Sequence, residues 1–183
     1  MPSLARGKAF FAQFFLWMSL TTLLGGLMGH GFLPQLGAMG KYPARILTPF
    51  SMFWLQLGVI ELLQGRARPN LIKVLQWISI LMLPLFIGLS FWHNHFSYAI
   101  FHNMFAAIMI IPILVFCIVK YKLKGTDWVL YTLLISSVIP YFQINRIGVN
   151  RWFTYHDVCH VIMLLSFIVL YVGATKLYNN IEY

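Results

Sequence analysis

Charged side chains are scarce in this 183-residue sequence, where Asp, Glu, Lys and Arg make up only 9% of the residues. A typical soluble domain carries about 25% charged residues, so this scarcity excludes a soluble globular fold. Acidic residues are the rarest, with four Asp and Glu against 13 Lys and Arg. In a membrane protein such a basic excess reflects topology, and nucleic-acid binding is not expected.

Cysteine is also scarce. The chain has two cysteines, Cys117 and Cys159, which can form at most one bridge. This count excludes a small secreted fold that depends on several disulfides.

Apolar residues fill the sequence instead, at 60% of the chain and a mean hydropathy of +0.78. Runs of about 20 apolar residues, long enough to cross a bilayer, lie at 9–28, 46–64, 71–92, 98–119, 127–144 and 157–175. We therefore expect an all-α integral membrane protein, a bundle of six transmembrane helices that forms one polytopic domain over residues 1–183. The expected location is a membrane, the inner membrane if the source is bacterial.

The basic residues predict the orientation, because Lys and Arg accumulate in short cytoplasmic loops. One side of the six-span arrangement holds nine of them: Arg6, Lys8, Arg66, Arg68, Lys73, Lys120, Lys122, Lys124 and Lys176. The other side holds four: Lys41, Arg45, Arg146 and Arg151. This asymmetry predicts that both termini are cytoplasmic.

All six histidines then fall at the non-cytoplasmic end: His30, His93, His95, His102, His156 and His160. Polar side chains at membrane depth are costly, so their clustering is by itself a hypothesis for a functional site. His102 lies about one turn into the fourth run, and His30 closes the first run between two glycines. Each is either a site residue or a hydrogen-bonding group at the interface, whereas His93 and His95 are expected in a solvated connection.

The densest set of candidates lies at the start of the sixth run. His156 and His160 are four residues apart and so share one helical face, the spacing with which a single helix holds a metal ion. The alternative is that both rings bond to neighbouring loops. Asp157 is a further ligand, a charge partner for the helix amino end or an acceptor for an imidazole N–H, and Cys159 is a soft ligand or a packed small residue.

The stretch from Trp152 to Lys176, with His156, Asp157, His160 and the pair Gly173-Ala174, resembles the last helix of the alkaline ceramidase and adiponectin-receptor superfamily. In that superfamily the last helix carries a His-x-x-x-His pair that, with an earlier His, an Asp and a Ser, forms a zinc site that cleaves lipid amides or related bonds. The resemblance implies that His156 and His160 are zinc ligands, that His30 or His102 is the third, and that Asp157 is the Asp of the catalytic site.

Three functions remain open at this stage. The first is a zinc-dependent hydrolase in which three histidines hold the ion and a bound water attacks a lipid amide or ester at the non-cytoplasmic interface. The second is an electron-transfer protein with a b-type haem between His102 and His160. The third is a non-catalytic membrane binder, carrier or assembly factor. The membrane lipid is the expected partner in each case, and oligomeric partners are not predicted.

Overall fold

The structure is a computed structural model that describes residues 2–28, 35 and 37–179. The described residues form seven α-helices and one short 3-10 helix, Gly37–Lys41. The α-helices are α1 Pro2–Gly26, α2 Tyr42–Glu61, α3 Pro69–Trp92, α4 Ser97–Tyr121, α5 Thr126–Ser136, α6 Ile139–Asn145 and α7 Tyr155–Asn179. No strand occurs in this part of the chain. The expected all-α class is therefore confirmed.

Five segments are long and apolar enough to cross a membrane: Arg6–Gly26, Pro69–Trp92, Ser97–Tyr121, Thr126–Asn145 and Tyr155–Asn179. They agree with five of the six apolar runs. The remaining run corresponds to α2, whose 20 residues match the thickness of a bilayer but include Arg45, Gln56 and Glu61 among the residues that the protein buries. With these polar groups, α2 is not among the five segments that are apolar enough to cross.

The chain divides into two compact units, residues 1–113 and 114–183, with the boundary inside α4. Each is described by itself, and the expected single domain over 1–183 stays a prediction.

In unit 1, α1 packs along α2 through aromatic rings. The ring of Phe10 lies 5.5 Å from that of Trp54, and the ring of Trp17 lies 4.9 Å from that of Phe50. One turn beyond Trp54, Phe11 is buried against Gly58, where a Cβ atom would come within 2.8 Å of the Phe11 ring. The glycine therefore lets the two helices approach closely.

In unit 2, α5 and α7 touch through their backbones. A Cβ atom on Gly125 would lie 2.5 Å from the carbonyl oxygen of Gly173, and one on Gly173 would lie 2.8 Å from the Cβ atom of Trp128. Nearby, the Lys176 ammonium lies 4.1 Å from the centroid of the Trp128 ring, a cation–π contact between the same two helices. Glycine at both positions makes this close packing possible.

The fifth apolar run is interrupted. Helix α5 ends at Ser136, and α6 begins at Ile139 with Pro140 in its first turn. Proline has no N–H to bond the carbonyl of Ser136 four residues back, which accounts for the break. The segment that reaches α7 therefore starts from a short helix with no buried residue.

Candidate functional site

The start of α7 carries Asp157 in a capping arrangement. Its Oδ2 atom accepts hydrogen bonds from the backbone N–H and the hydroxyl of Thr154, each 2.7 Å long. A Thr followed three residues later by an acid is the pattern with which a chain satisfies the first amides of a helix and places negative charge at its positive end. Asp157 thus stabilises the helix terminus, and its catalytic role stays a prediction.

His156 and His160 lie on α7 one turn apart, and both side chains are exposed. The His156 ring packs against that of Tyr155, with 4.0 Å between the ring centroids, and the Asp157 carboxylate lies near enough to His160 for an electrostatic interaction. The Cys159 thiol, by contrast, lies 3.8 Å from the carbonyl oxygen of Ile139 on α6. The packed role of this cysteine is the one that the contact supports.

The two histidines of the connection between α3 and α4 contact residues at the start of α4. His93 stacks on Tyr98 with ring centroids 5.2 Å apart, and Nδ1 of His95 accepts a 3.3 Å hydrogen bond from the backbone N–H of Ser97. Both side chains are exposed, as expected for a solvated connection. His30, the candidate ligand after the first helix, lies outside the described residues.

Of the five histidines that the structure describes, His102 is the one that the protein encloses completely, with 0% of its surface exposed. The edge of its ring meets Phe86 of α3, with the ring centroids 5.7 Å apart. Asn103 is near enough to influence the imidazole, but neither ring nitrogen makes a hydrogen bond of good geometry to a protein group. A buried imidazole of this kind is unusual, because buried polar atoms nearly always have a partner.

The described residues do not bring three potential metal ligands together. Among them there is no group of three or more His, Cys, Asp or Glu side chains arranged to hold a metal ion. The pair on α7 supplies two donors, one fewer than the three protein ligands of a catalytic zinc site. The predicted metal set of His30, His102, His156 and His160 therefore stays a prediction.

Sequence reasoning identified Glu61 as a carboxylate within a span, with an ion pair to nearby arginines as its expected role, but it missed the burial of Arg45. Arg45, only 5% exposed, donates from Nη1 to Oδ1 of Asn94 over 2.7 Å and from Nη2 to the Asn94 carbonyl over 3.2 Å. Glu61 is also buried and accepts a 3.2 Å hydrogen bond from Gln76, and Arg6 lies near enough to attract it. Polar residues inside an otherwise apolar helix were the available signal, but Arg45 was counted only as a loop charge.

Several other buried polar atoms of unit 1, like the ring nitrogens of His102, make no hydrogen bond. The described side chains of that unit with a buried nitrogen or oxygen that makes no hydrogen bond are Arg45 (Nε), Trp54 (Nε1), Gln56 (Oε1), Glu61 (Oε2), His102 (both ring nitrogens) and Asn103 (Oδ1). Both donors and acceptors occur in this set. Four of these side chains lie on α2 and two on α4.

The chain belongs to the Family of unknown function (DUF6962), whose model matches residues 3–179. Neither the curated proteins nor the solved structures include a match to it.

Proposed function

We propose that this chain is a multi-pass membrane protein that binds and carries a small polar solute among the helices of unit 1. The observation that carries the proposal is the enclosed imidazole of His102, whose ring nitrogens make no hydrogen bond of good geometry to a protein group. Leaving such a group unpaired away from water costs about 1–3 kcal/mol per polar atom, a substantial part of the about 5–15 kcal/mol by which proteins are stable. A solute that bonds to the ring removes this cost.

Helix α2 offers a second polar group, the backbone carbonyl of Arg45, at a depth similar to that of His102. Helices α2 and α4 meet where Nε2 of Gln56 lies 3.7 Å from Sδ of Met109. Pro49 lies seven residues before Gln56 on α2, and His102 lies seven residues before Met109 on α4. Each is therefore about 10 Å from that contact along its helix. Pro49 has no N–H, so it leaves the carbonyl of Arg45 without a helical partner. Interrupted helix bonding of this kind is how membrane carriers present backbone atoms to a solute.

The test is to identify what is bound and to remove the imidazole. We expect native mass spectrometry of the wild-type protein, released from native lipid, to show a small polar molecule that His102→Phe loses at least tenfold. Gln56→Met, which nearly keeps the side-chain volume and the reach to Met109, should weaken its binding. The matched control is His93→Phe, which changes an exposed histidine and should leave binding unaltered.

The proposal has a clear contrary outcome. If no small molecule accompanies the wild-type protein, and His102→Phe unfolds at the same or a higher temperature, then the imidazole is a structural defect and not a binding group. Replacing an unsatisfied buried polar group with an apolar one is expected to be neutral or stabilising in that case.

The topology proposed for this function is a six-span bundle with both termini in the cytoplasm. In this topology α2 crosses the membrane in addition to the five more apolar segments. Its 20 residues measure about 30 Å, and within unit 1 it packs against α1 and α3. We predict that cysteines replacing Lys41 and His95 react with a membrane-impermeant maleimide from one side, and that a cysteine replacing Arg68 reacts from the other. All three positions are exposed. If Lys41→Cys and Arg68→Cys are labelled from the same side, α2 does not cross.

The zinc hydrolase is the second proposal, favoured by the two exposed histidines on one face of α7. They would hold the ion with a third donor, His30 or His102, and the bound ion would lower the pKa of a water that attacks a lipid amide or ester. Asp157 would hold a ligand imidazole while it caps the helix.

Metal analysis tests this second proposal. We expect about one zinc per chain, with most of it lost in His156→Ala and in His160→Ala, because two imidazoles on one face act as a single chelating unit. Asp157→Asn should reduce turnover more than metal content. His93→Ala and Glu61→Gln, the controls, should leave both unchanged. If neither His156→Ala nor His160→Ala changes the metal content, the zinc site is ruled out. A Soret band in the visible spectrum would instead favour a haem with His102 and His160 as axial ligands.

A further inference from the structure

The segment over residues 139–154, which joins α5 to α7, exposes large apolar side chains. Ile144 is 79% exposed, Val149 72% and Trp152 81%. Residues 146–154 lie beyond the end of the apolar segment Thr126–Asn145, so the hydrocarbon core does not account for the exposure of the last two. In water each of these side chains would be unfavourably hydrated.

The exposed side chains stand on a defined backbone. Oδ1 of Asn150 accepts hydrogen bonds from the backbone N–H groups of Trp152 and Phe153, both 2.8 Å long, and the N–H of Val149 donates to the Phe153 carbonyl over 2.9 Å. Gly148 runs so close to this turn that a Cβ atom there would lie 3.0 Å from the Phe153 carbonyl oxygen. The turn therefore holds Val149 and Trp152 outward in a fixed arrangement.

The same segment is positively charged. It contains Arg146 and Arg151, and no acidic residue occurs between Asp127 and Asp157. The Arg151 guanidinium lies 5.0 Å from the centroid of the Trp152 ring, so a cation and an aromatic ring are presented together. Asp157, the nearest acid in the sequence, has its Oδ2 atom bonded to Thr154. The charge of the segment is thus left for an external anion.

We propose that residues 139–154 form a docking surface for anionic phospholipid headgroups. The guanidinium groups of Arg146 and Arg151 bind lipid phosphates, for which their planar donors are well suited. Ile144, Val149 and Trp152 enter the boundary between headgroups and acyl chains, where tryptophan is favoured. Two positive charges without an acid make the surface selective for anionic over zwitterionic lipid, by about fivefold for each arginine.

The experiment uses the full-length protein with equimolar phosphatidylglycerol and phosphatidylcholine, and counts the bound lipids by native mass spectrometry. We expect the wild-type protein to prefer phosphatidylglycerol at least tenfold, and the double variant Arg146→Gln/Arg151→Gln to bind the two lipids almost equally. Arg151→Gln alone, which leaves the αL residue Arg146 in place, should lose about fivefold. The matched control is Lys73→Gln/Lys124→Gln, which removes the same charge from exposed positions elsewhere.

Three results would overturn the proposal. An unchanged lipid preference in the double variant would place the bound lipid elsewhere, and an equal loss in the control would reduce the effect to net charge. A protein that co-purifies stoichiometrically and is released by the double variant would show that the surface serves a protein partner.

Discussion

Gly125→Ala will destabilise the protein by more than about 3 kcal/mol, or will prevent its folding. Gly125 has a φ of +94°, and a Cβ atom there would lie 2.5 Å from the Gly173 carbonyl oxygen and 2.6 Å from the backbone nitrogen of Leu177. Both obstacles are backbone atoms of α7, so no side-chain rotation relieves the clash. The methyl group must push α5 away from α7 along the whole contact between them.

Gly65→Ala is the control that separates the clash from the backbone strain. Gly65 also has a positive φ, +70°, but nothing lies within 4 Å of the place where its Cβ atom would be. We expect it to lose only about 1 kcal/mol, the cost of the left-handed conformation for alanine. Unfolding by SDS titration of the protein in mild detergent measures both. Equal losses in the two variants would mean that α5 and α7 do not pack through their backbones.

Arg45→Gln will cost about 1.5–3 kcal/mol, because it removes a buried charged group that makes several hydrogen bonds. The guanidinium completes the end of α3, where Asn94 adopts a left-handed conformation with φ of 50° and the N–H of His95 bonds to the Ser90 carbonyl over 3.0 Å. This is the Schellman arrangement that commonly ends helices. Arg45 adds positive charge at the negative end of the helix and binds Asn94 through two nitrogens.

Arg68→Gln is the matched control, since it removes the same charge from an exposed residue at the start of α3. We expect it to change stability by less than about 0.5 kcal/mol. Arg45→Lys should fall between the two, because lysine keeps the charge but cannot reproduce the paired geometry. A loss at Arg45 no greater than that at Arg68 would show that the contact with Asn94 contributes little.

Hydrophobic patterning predicted α3 and α4 within about two residues at each end, because a bilayer requires continuous apolar runs. The run at 71–92 became α3 Pro69–Trp92, and the run at 98–119 became α4 Ser97–Tyr121. It did not predict the break before Pro140, since the window that detects a span averages over a single proline.

The burial of Arg45 and of His102 could not be predicted from the sequence, because it depends on contacts between distant parts of the chain. Arg45 was assigned to a loop from its charge, yet its partner Asn94 is 49 residues away in the sequence. Likewise, the sequence placed His102 about one turn into a helix correctly, but its complete burial depends on packing that includes Phe86 of another helix. The capping role of Asp157 could be predicted in part. Its spacing from Thr154 is a capping signal, and a charge partner for the helix amino end was one of its expected roles.

The most direct test of solute binding by unit 1 is the ¹⁵N NMR spectrum of the protein in lipid bilayers with its histidines labelled. The account predicts that the His102 ring nitrogens show through-space correlations to protons of a molecule that is not protein, and that these disappear when the bound molecule is exchanged away. Correlations to protein groups alone, such as the side chain of Asn103, would contradict it.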